Sequence, residues 1–166
     1  MPEINFLLAA LTALVPLFLG FVWYHKNVFG KAWMNATGVT EEDGKKMNMM
    51  VVFGFTYLFG FLLSIALHML TIHQFGILGL FQPEMGYTDP EGLIPALQSV
   101  LDMASDKFRT FRHGVVHGII FGITVVLPVL GINALFEGKG WKYIFINVGY
   151  WTVCIALMGG IICQWA

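Results

Sequence analysis

Four apolar stretches of about the same length, near residues 4–24, 49–72, 114–136 and 143–165, constrain this chain more than any other feature. None carries Asp, Glu, Lys or Arg in its middle. About 20 mostly apolar residues suffice to cross a bilayer core as a helix. Lipid offers backbone groups no hydrogen-bond partner, so each stretch must satisfy its own. Period-2 alternation is absent, so the stretches read as helices. Composition agrees: 57% of residues are hydrophobic and 11% charged, against about 45–50% and about 25% in soluble domains. A water-soluble globule of this size would still expose about 30% of its unfolded surface and could not hide so much apolar area. The expected fold is one all-α integral membrane domain over residues 1–166. A cytosolic enzyme, a disordered chain and a secreted disulfide scaffold are excluded. Cys154 and Cys163 lie nine residues apart on one helix, about 13 Å, too far for a disulfide. A net charge of −1 provides no basic field for a nucleic acid.

Charge placement predicts orientation. Lys26, Lys31, Lys45, Lys46, Lys139 and Lys142 fall in the first and third loops; Lys107, Arg109 and Arg112 fall in the second. The positive-inside bias then puts loops one and three in the cytoplasm, with both termini outward. Trp23, Tyr24, Trp33, Trp141 and Tyr143 form the expected inner aromatic belt, and Trp165 the outer one. No Lys or Arg precedes the first span and no cleavage pattern follows it, so it is expected to stay as an anchor.

Two patterns recur. Thr12-x3-Pro16 matches Thr124-x3-Pro128, with Gly20 and Gly131 following. Gly30-Lys31-Ala32-Trp33 matches Gly138-Lys139-Gly140-Trp141. Together they predict a 2+2 parallel repeat of helix hairpins. Pro16 and Pro128 each remove a backbone bond and predict kinks. Gly114, Gly118 and Gly122 form a small-residue stripe for close helix packing. Gly54 with Gly60, and Gly149 with Gly159 and Gly160, are looser versions. The stripe's partner is either within the bundle or in another subunit of a homo-oligomer or larger membrane complex.

The longest connection, 73–112, opens with turn signals at Pro83, Gly86, Pro90 and Pro95. From Glu91 to Arg112, Leu93, Leu97, Val100, Leu101, Ala104 and Phe108 recur at helical spacing. This predicts an amphipathic cap on the bundle. His68 and His73 close the second span; His113 and His117 open the third, so all four share one membrane level. If the cap helix continues into the third span, Asp102, Asp106, Arg109, His113 and His117 make one polar ridge. Three readings stand: a structural network; a transition-metal site of His68, His113 and His117 with Asp106; and haem ligation or proton relay. His25 reads as interfacial and separate. No mid-membrane acid supports an ion-coupled transporter, and no nucleophile with a base supports catalysis.

The stretch from Trp23 to Met34 (Trp-Tyr-His-Lys-Asn-Val-Phe-Gly-Lys-Ala-Trp-Met), followed by Thr37-Gly38 and Glu41-Glu42-Asp43, resembles the opening motif of the bacterial "domain of unknown function 1761" family. The glycine-rich third span and Asn147-x-Gly149-Tyr150 are similar as well. Members carry Ser-Pro after Trp-Tyr, where this chain has His25-Lys26. The resemblance implies a small four-helix protein of a bacterial cytoplasmic (inner) membrane and no known activity. Functionally, the first expectation is a non-enzymatic bundle without a cofactor. It acts as a homo-oligomer or accessory subunit and binds a lipid-like ligand or membrane partner, with Trp23, Tyr24, Lys31 and Trp33 as contacts to lipid or partner. The second is a metal- or haem-binding, oxidoreductase-like protein, and the third a small-molecule transporter or channel.

Overall fold

The structure, a computed structural model, describes residues 2–85 and 93–166. In chain order the helices are α1 (Phe6–Thr12), α2 (Val15–Trp23), α3 (Lys31–Thr37), α4 (Glu41–Lys46), α5 (Met49–Thr71), α6 (Gln74–Met85), α7 (Leu93–Ala104), α8 (Phe111–Phe121), α9 (Leu127–Phe136) and α10 (Trp141–Trp165). Single π turns occupy Lys26–Gly30 and Gly122–Val126. Four helical runs are long and apolar enough to cross a membrane: Phe6–Trp23, Met49–Thr71, Phe111–Phe136 and Trp141–Trp165. The protein is an all-α membrane protein, with no strand among the described residues.

Side-chain caps set where three spans begin. Asn5, Asn48 and Thr110 accept hydrogen bonds from the amides of Leu8 (2.9 Å), Val51 (3.3 Å) and His113 (3.3 Å). Each relieves one orphan donor of a first helical turn. Thr110 thereby starts the third span at Phe111, three residues before the apolar stretch suggests.

The fourth span forms the centre. Over half of its apolar window, 56%, is buried, against 17–22% in the other three, whose remaining faces suit lipid. Small residues explain the difference, because they let backbones approach closely. The stripe Gly114, Gly118 and Gly122 lies on α10 against Gly159, Ala156 and Thr152. A Cβ on Gly159 would in turn come within 2.8 Å of the Gly114 carbonyl oxygen. The stripe's partner is therefore inside the bundle. Gly60 of α5 meets the Ala13 backbone in the same way.

Both Thr-x3-Pro spans are interrupted, by different means. Pro16 has no N–H for the Thr12 carbonyl, and the helix breaks at Ala13–Leu14. The Thr12 hydroxyl turns back to the Leu8 carbonyl (2.8 Å) and meets Ser64 Oγ at 2.7 Å. Ahead of Pro128 the helix instead widens into the π turn Gly122–Val126, a usual way to absorb a missing bond.

The first loop is ordered by local chemistry. The Lys26–Gly30 turn brings Gly30 against the Tyr24 carbonyl, where no Cβ fits. Thr40 and Asp43 form a capping box on α4, and Lys26 pairs with Glu41 at 2.7 Å. Lys26 holds the Glu41 carboxyl below its usual range, and Thr40 does the same for Asp43. A depressed carboxyl pKa stabilises the folded form above the unfolded value, about 4, and that contribution disappears as pH falls through the folded values. Amide protection factors across α4, which correct for the intrinsic pH dependence of exchange, are expected to fall below about pH 4 and to hold between neutral and mildly alkaline pH. Unchanged protection in acid would contradict this account.

The long connection departs from expectation. Of the expected turn and cap residues, Gly86, Pro90 and Glu91 lie outside the described residues. Pro83 sits inside α6, and the cap helix α7 ends at Ala104 instead of running to Arg112. Residues 105–110 turn instead, with Phe108 at φ +62°, a left-handed conformation unusual for a bulky residue. Outside bonds hold the turn. The buried Gln74 amide donates to the carbonyls of Ala104, Ser105 (3.3 Å) and Lys107 (3.3 Å). Arg109 donates to the Cys163 carbonyl (3.0 Å) and to that of Ala166, at the end of α10, where a cation also suits the helix dipole. The continuous ridge from Asp102 to His117 does not form, because this turn separates α7 from α8.

Candidate metal centre

The end of α5 and the start of α8 bring three imidazoles together. His73 follows α5 at the junction with α6, whereas His113 and His117 lie one turn apart on α8. His73 Nε2 lies 2.9 Å from His113 Nε2, and His117 Nε2 lies 3.0 Å from the same atom. All three nitrogens fall within 4.8 Å of one another. His73 is exposed, and His113 and His117 are half-buried. The Phe108 ring stands edge-on to His73 at 5.9 Å and tilted to His113 at 5.1 Å. Its left-handed backbone is what turns the 105–110 segment beside the cluster.

Hydrogen bonds among the three rings cannot all form at once. A neutral imidazole nitrogen carries either one N–H or one lone pair. His113 Nε2 has two nitrogen neighbours at bonding distance, so it can form a full bond to only one of them. A cation shared by three lone pairs satisfies all of them at once. Three ligands around a tetrahedral ion at about 2.0–2.1 Å would sit about 3.3–3.4 Å apart. The two edges at 2.9 and 3.0 Å fall a few tenths of an ångström short of that spacing, and the third, between His73 and His117, lies within 4.8 Å. Imidazole donors suit Zn, Cu, Fe and Ni, and three protein ligands leave a fourth position open.

The other expected ligands lie elsewhere. His68 is fully buried, and its Nδ1 meets the Ser64 carbonyl oxygen at 2.8 Å. A carbonyl only accepts, so Nδ1 carries the proton and Nε2 is a bare acceptor without a partner. Asp106 is exposed on the 105–110 turn and is not part of the cluster. His73 takes the place that sequence reasoning offered to His68. Its signal was already present, since His73 ends the second span at the level where the third begins.

The Trp-Tyr motif has its own placement. Trp23 Nε1 donates to the Ile146 carbonyl (3.2 Å), and the Tyr24 hydroxyl donates to Asn147 Oδ1 (3.0 Å). Trp33 packs edge-on to Tyr24 at 5.5 Å, and the Tyr150 hydroxyl donates to the Pro16 carbonyl at 2.6 Å. Trp23, Tyr24 and Trp33 are half-buried and tie the first hairpin to α10; Lys31 remains exposed. Lys139 adds a bond to the Thr37 carbonyl (3.1 Å), joining the two Gly-Lys segments at the opposite end of the bundle from the histidines.

Comparison with curated proteins and with solved structures gives no match. A family model described as "Protein of unknown function (DUF1761)" matches residues 7–163, from the first turn of α1 to the last turn of α10. The matched region contains the aromatic hairpin lock, the glycine stripe and all three clustered histidines, and the chain belongs to the DUF1761 family.

Proposed function

We propose that this membrane protein binds one transition-metal ion through His73, His113 and His117 at one end of its bundle. The observation that carries the reading is the gathering of one ligand nitrogen from each of three histidines within 4.8 Å, with His113 Nε2 2.9 and 3.0 Å from its two neighbours. The ion would tie the α5–α6 junction to the start of α8 and keep one coordination position for an outside ligand. The lysine count supports placing the ion at the outer face of a bacterial inner membrane, with both termini outward. The large apolar faces left on α5 and α9 support assembly with lipid, with further copies or with a membrane partner.

Elemental analysis of the detergent-purified protein, as isolated and after equilibration with Zn²⁺, tests the metal reading. One ion per chain is expected. His73→Ala, His113→Ala and His117→Ala should each weaken retention at least about 100-fold, since even outer-shell partners are worth about 10–100-fold. His68→Ala and Asp106→Ala should keep the full ion. A protein that stays metal-free in micromolar Zn²⁺ would refute the assignment, as would equal retention in all five variants.

A further inference from the structure

The residue that follows His73 holds the end of the cap helix. The His73 carbonyl accepts from the amides of Gly76 (2.9 Å) and Ile77 (3.3 Å). It thereby closes the first turn of α6, and His73 and Gln74 move as one piece. The Gln74 side chain is buried, and its amide donates to the carbonyls of Ala104, Ser105 and Lys107. A helix leaves its last carbonyls without backbone donors of its own, and Ala104 is the last residue of α7. Gln74 therefore caps α7 from another helix. A second grip runs through the rings: Phe108, in the same 105–110 turn, leans on His73 at 5.9 Å and on His113 at 5.1 Å. Both grips depend on where His73 stands.

This closed turn carries two unfavourable features. Phe108 is left-handed, at φ +62°, and Gln74 Oε1 is buried without a donor. Strained residues persist only where their surroundings over-determine them, and they gather at ligand clamps and switches. A buried acceptor without a partner is disfavoured in the same way. Opening would let Phe108 return to an ordinary backbone and Gln74 Oε1 reach water. Against that, the ion-free rings hold His73 only by hydrogen bonds that cannot all form at once. An ion bound by His73, His113 and His117 requires them together and so favours the closed arrangement. Gln74, Ser105 and Arg109 also line a cavity of about 180 Å³ against α7, whose shape the closed turn sets.

We propose that the metal ion acts as a latch: its binding fixes the 105–110 turn and the end of α7 through His73 and Gln74. This inference rests on the metal reading above and adds to it a regulated element, the cap, whose state follows the occupancy of the site.

The test is hydrogen exchange on the full chain in a nonionic detergent, metal-free and in saturating Zn²⁺, with zinc content measured first. The amides of Lys107 and Thr110 are bonded within the turn (3.1 and 2.9 Å) and report its opening. Zn²⁺ should slow their exchange at least about fivefold, the lower end of usual coupling between two sites. The amides of α4, in the first loop, should not respond. Gln74→Leu keeps the bulk and removes the donor, and Phe108→Ala removes an exposed ring. Both variants should still take up one ion per chain. Gln74→Leu should lose most of the zinc effect on the turn and Phe108→Ala part of it. Coupling is reciprocal, so each should also bind Zn²⁺ more weakly than the wild type. One bound ion with unchanged exchange in the turn would overturn the latch and leave the metal reading standing. A zinc effect as large in both variants as in the wild type would overturn it too, because the ion would then reach the turn by another route. No zinc in the wild type would sink the metal reading and the latch with it.

Discussion

Gly118→Leu is expected to destabilise the folded bundle strongly. A Cβ at this position would collide with the Ala156 backbone and the Ile155 carbonyl of α10. Backbone atoms cannot rotate aside as a side chain can, so α8 and α10 must separate. Overpacking a well-filled core costs about 1–3 kcal/mol, and a leucine here also strips contacts from Gly114 and Gly122 along the same stripe. Against a total stability of about 5–15 kcal/mol, the loss should appear as aggregation or a non-native size-exclusion profile in detergent. Gly54→Leu is the control. Gly54 on α5 has no atom within 4 Å of a built Cβ, and leucine is the better helix former by about 1 kcal/mol. The control protein should elute and melt like the wild type. Equal behaviour of the two variants would disprove the packing assignment of the stripe.

Truncating His68 to alanine should destabilise the protein by about 2–5 kcal/mol, the usual cost of emptying a large buried site, without loss of metal. His68→Leu should restore most of that stability. The reason lies in the imidazole itself: Nδ1 donates to the Ser64 carbonyl, but Nε2 is buried without a donor. An orphaned buried acceptor costs about 1–3 kcal/mol, and an apolar group of similar shape avoids that cost. The Ser64 carbonyl keeps its place in the helix ladder without the imidazole. Thermal unfolding in one detergent, with metal content measured alongside, separates the two roles of histidine in this chain. A His68→Leu protein as weak as His68→Ala would show that the imidazole makes a bond that its neighbours do not reveal. Metal loss in either variant would return His68 to the ligand set.

The sequence was legible where one physical demand dominates. Lipid requires continuous helical hydrogen bonding over a set length, so four uncharged stretches announced four spans, the largest shift being at the start of the third, which the Thr110 cap sets. Helical period alone put His113 beside His117 and aligned Gly114, Gly118 and Gly122. Residue types that serve either role were not legible. Gly54 and Gly118 are the same residue in similar apolar surroundings, and only the approach of α10 makes one indispensable. The Trp-Tyr motif reads equally well as a headgroup anchor or as a lock on α10, and its half-buried indole and phenol were decided by partners more than 100 positions away.

The candidate site divides along the same line. Sequence by itself determined that four histidines share one membrane level, because two consecutive antiparallel spans must end and begin there. Which three of them meet was decided by tertiary structure. Five residues on a regular helix rotate about 140°, so His68 and His73 could never face the same partner. The backbone leaves helical geometry at Ile72 (φ −105°, ψ 98°), swinging His73 toward α8 while His68 stays turned into the core. Asp106 was removed in the same way, by a turn that Gln74 of α6 holds from outside and that Arg109, within the turn, ties to α10. A periodic pattern fixes direction only while the helix lasts, and both deciding residues lie just beyond a helix end.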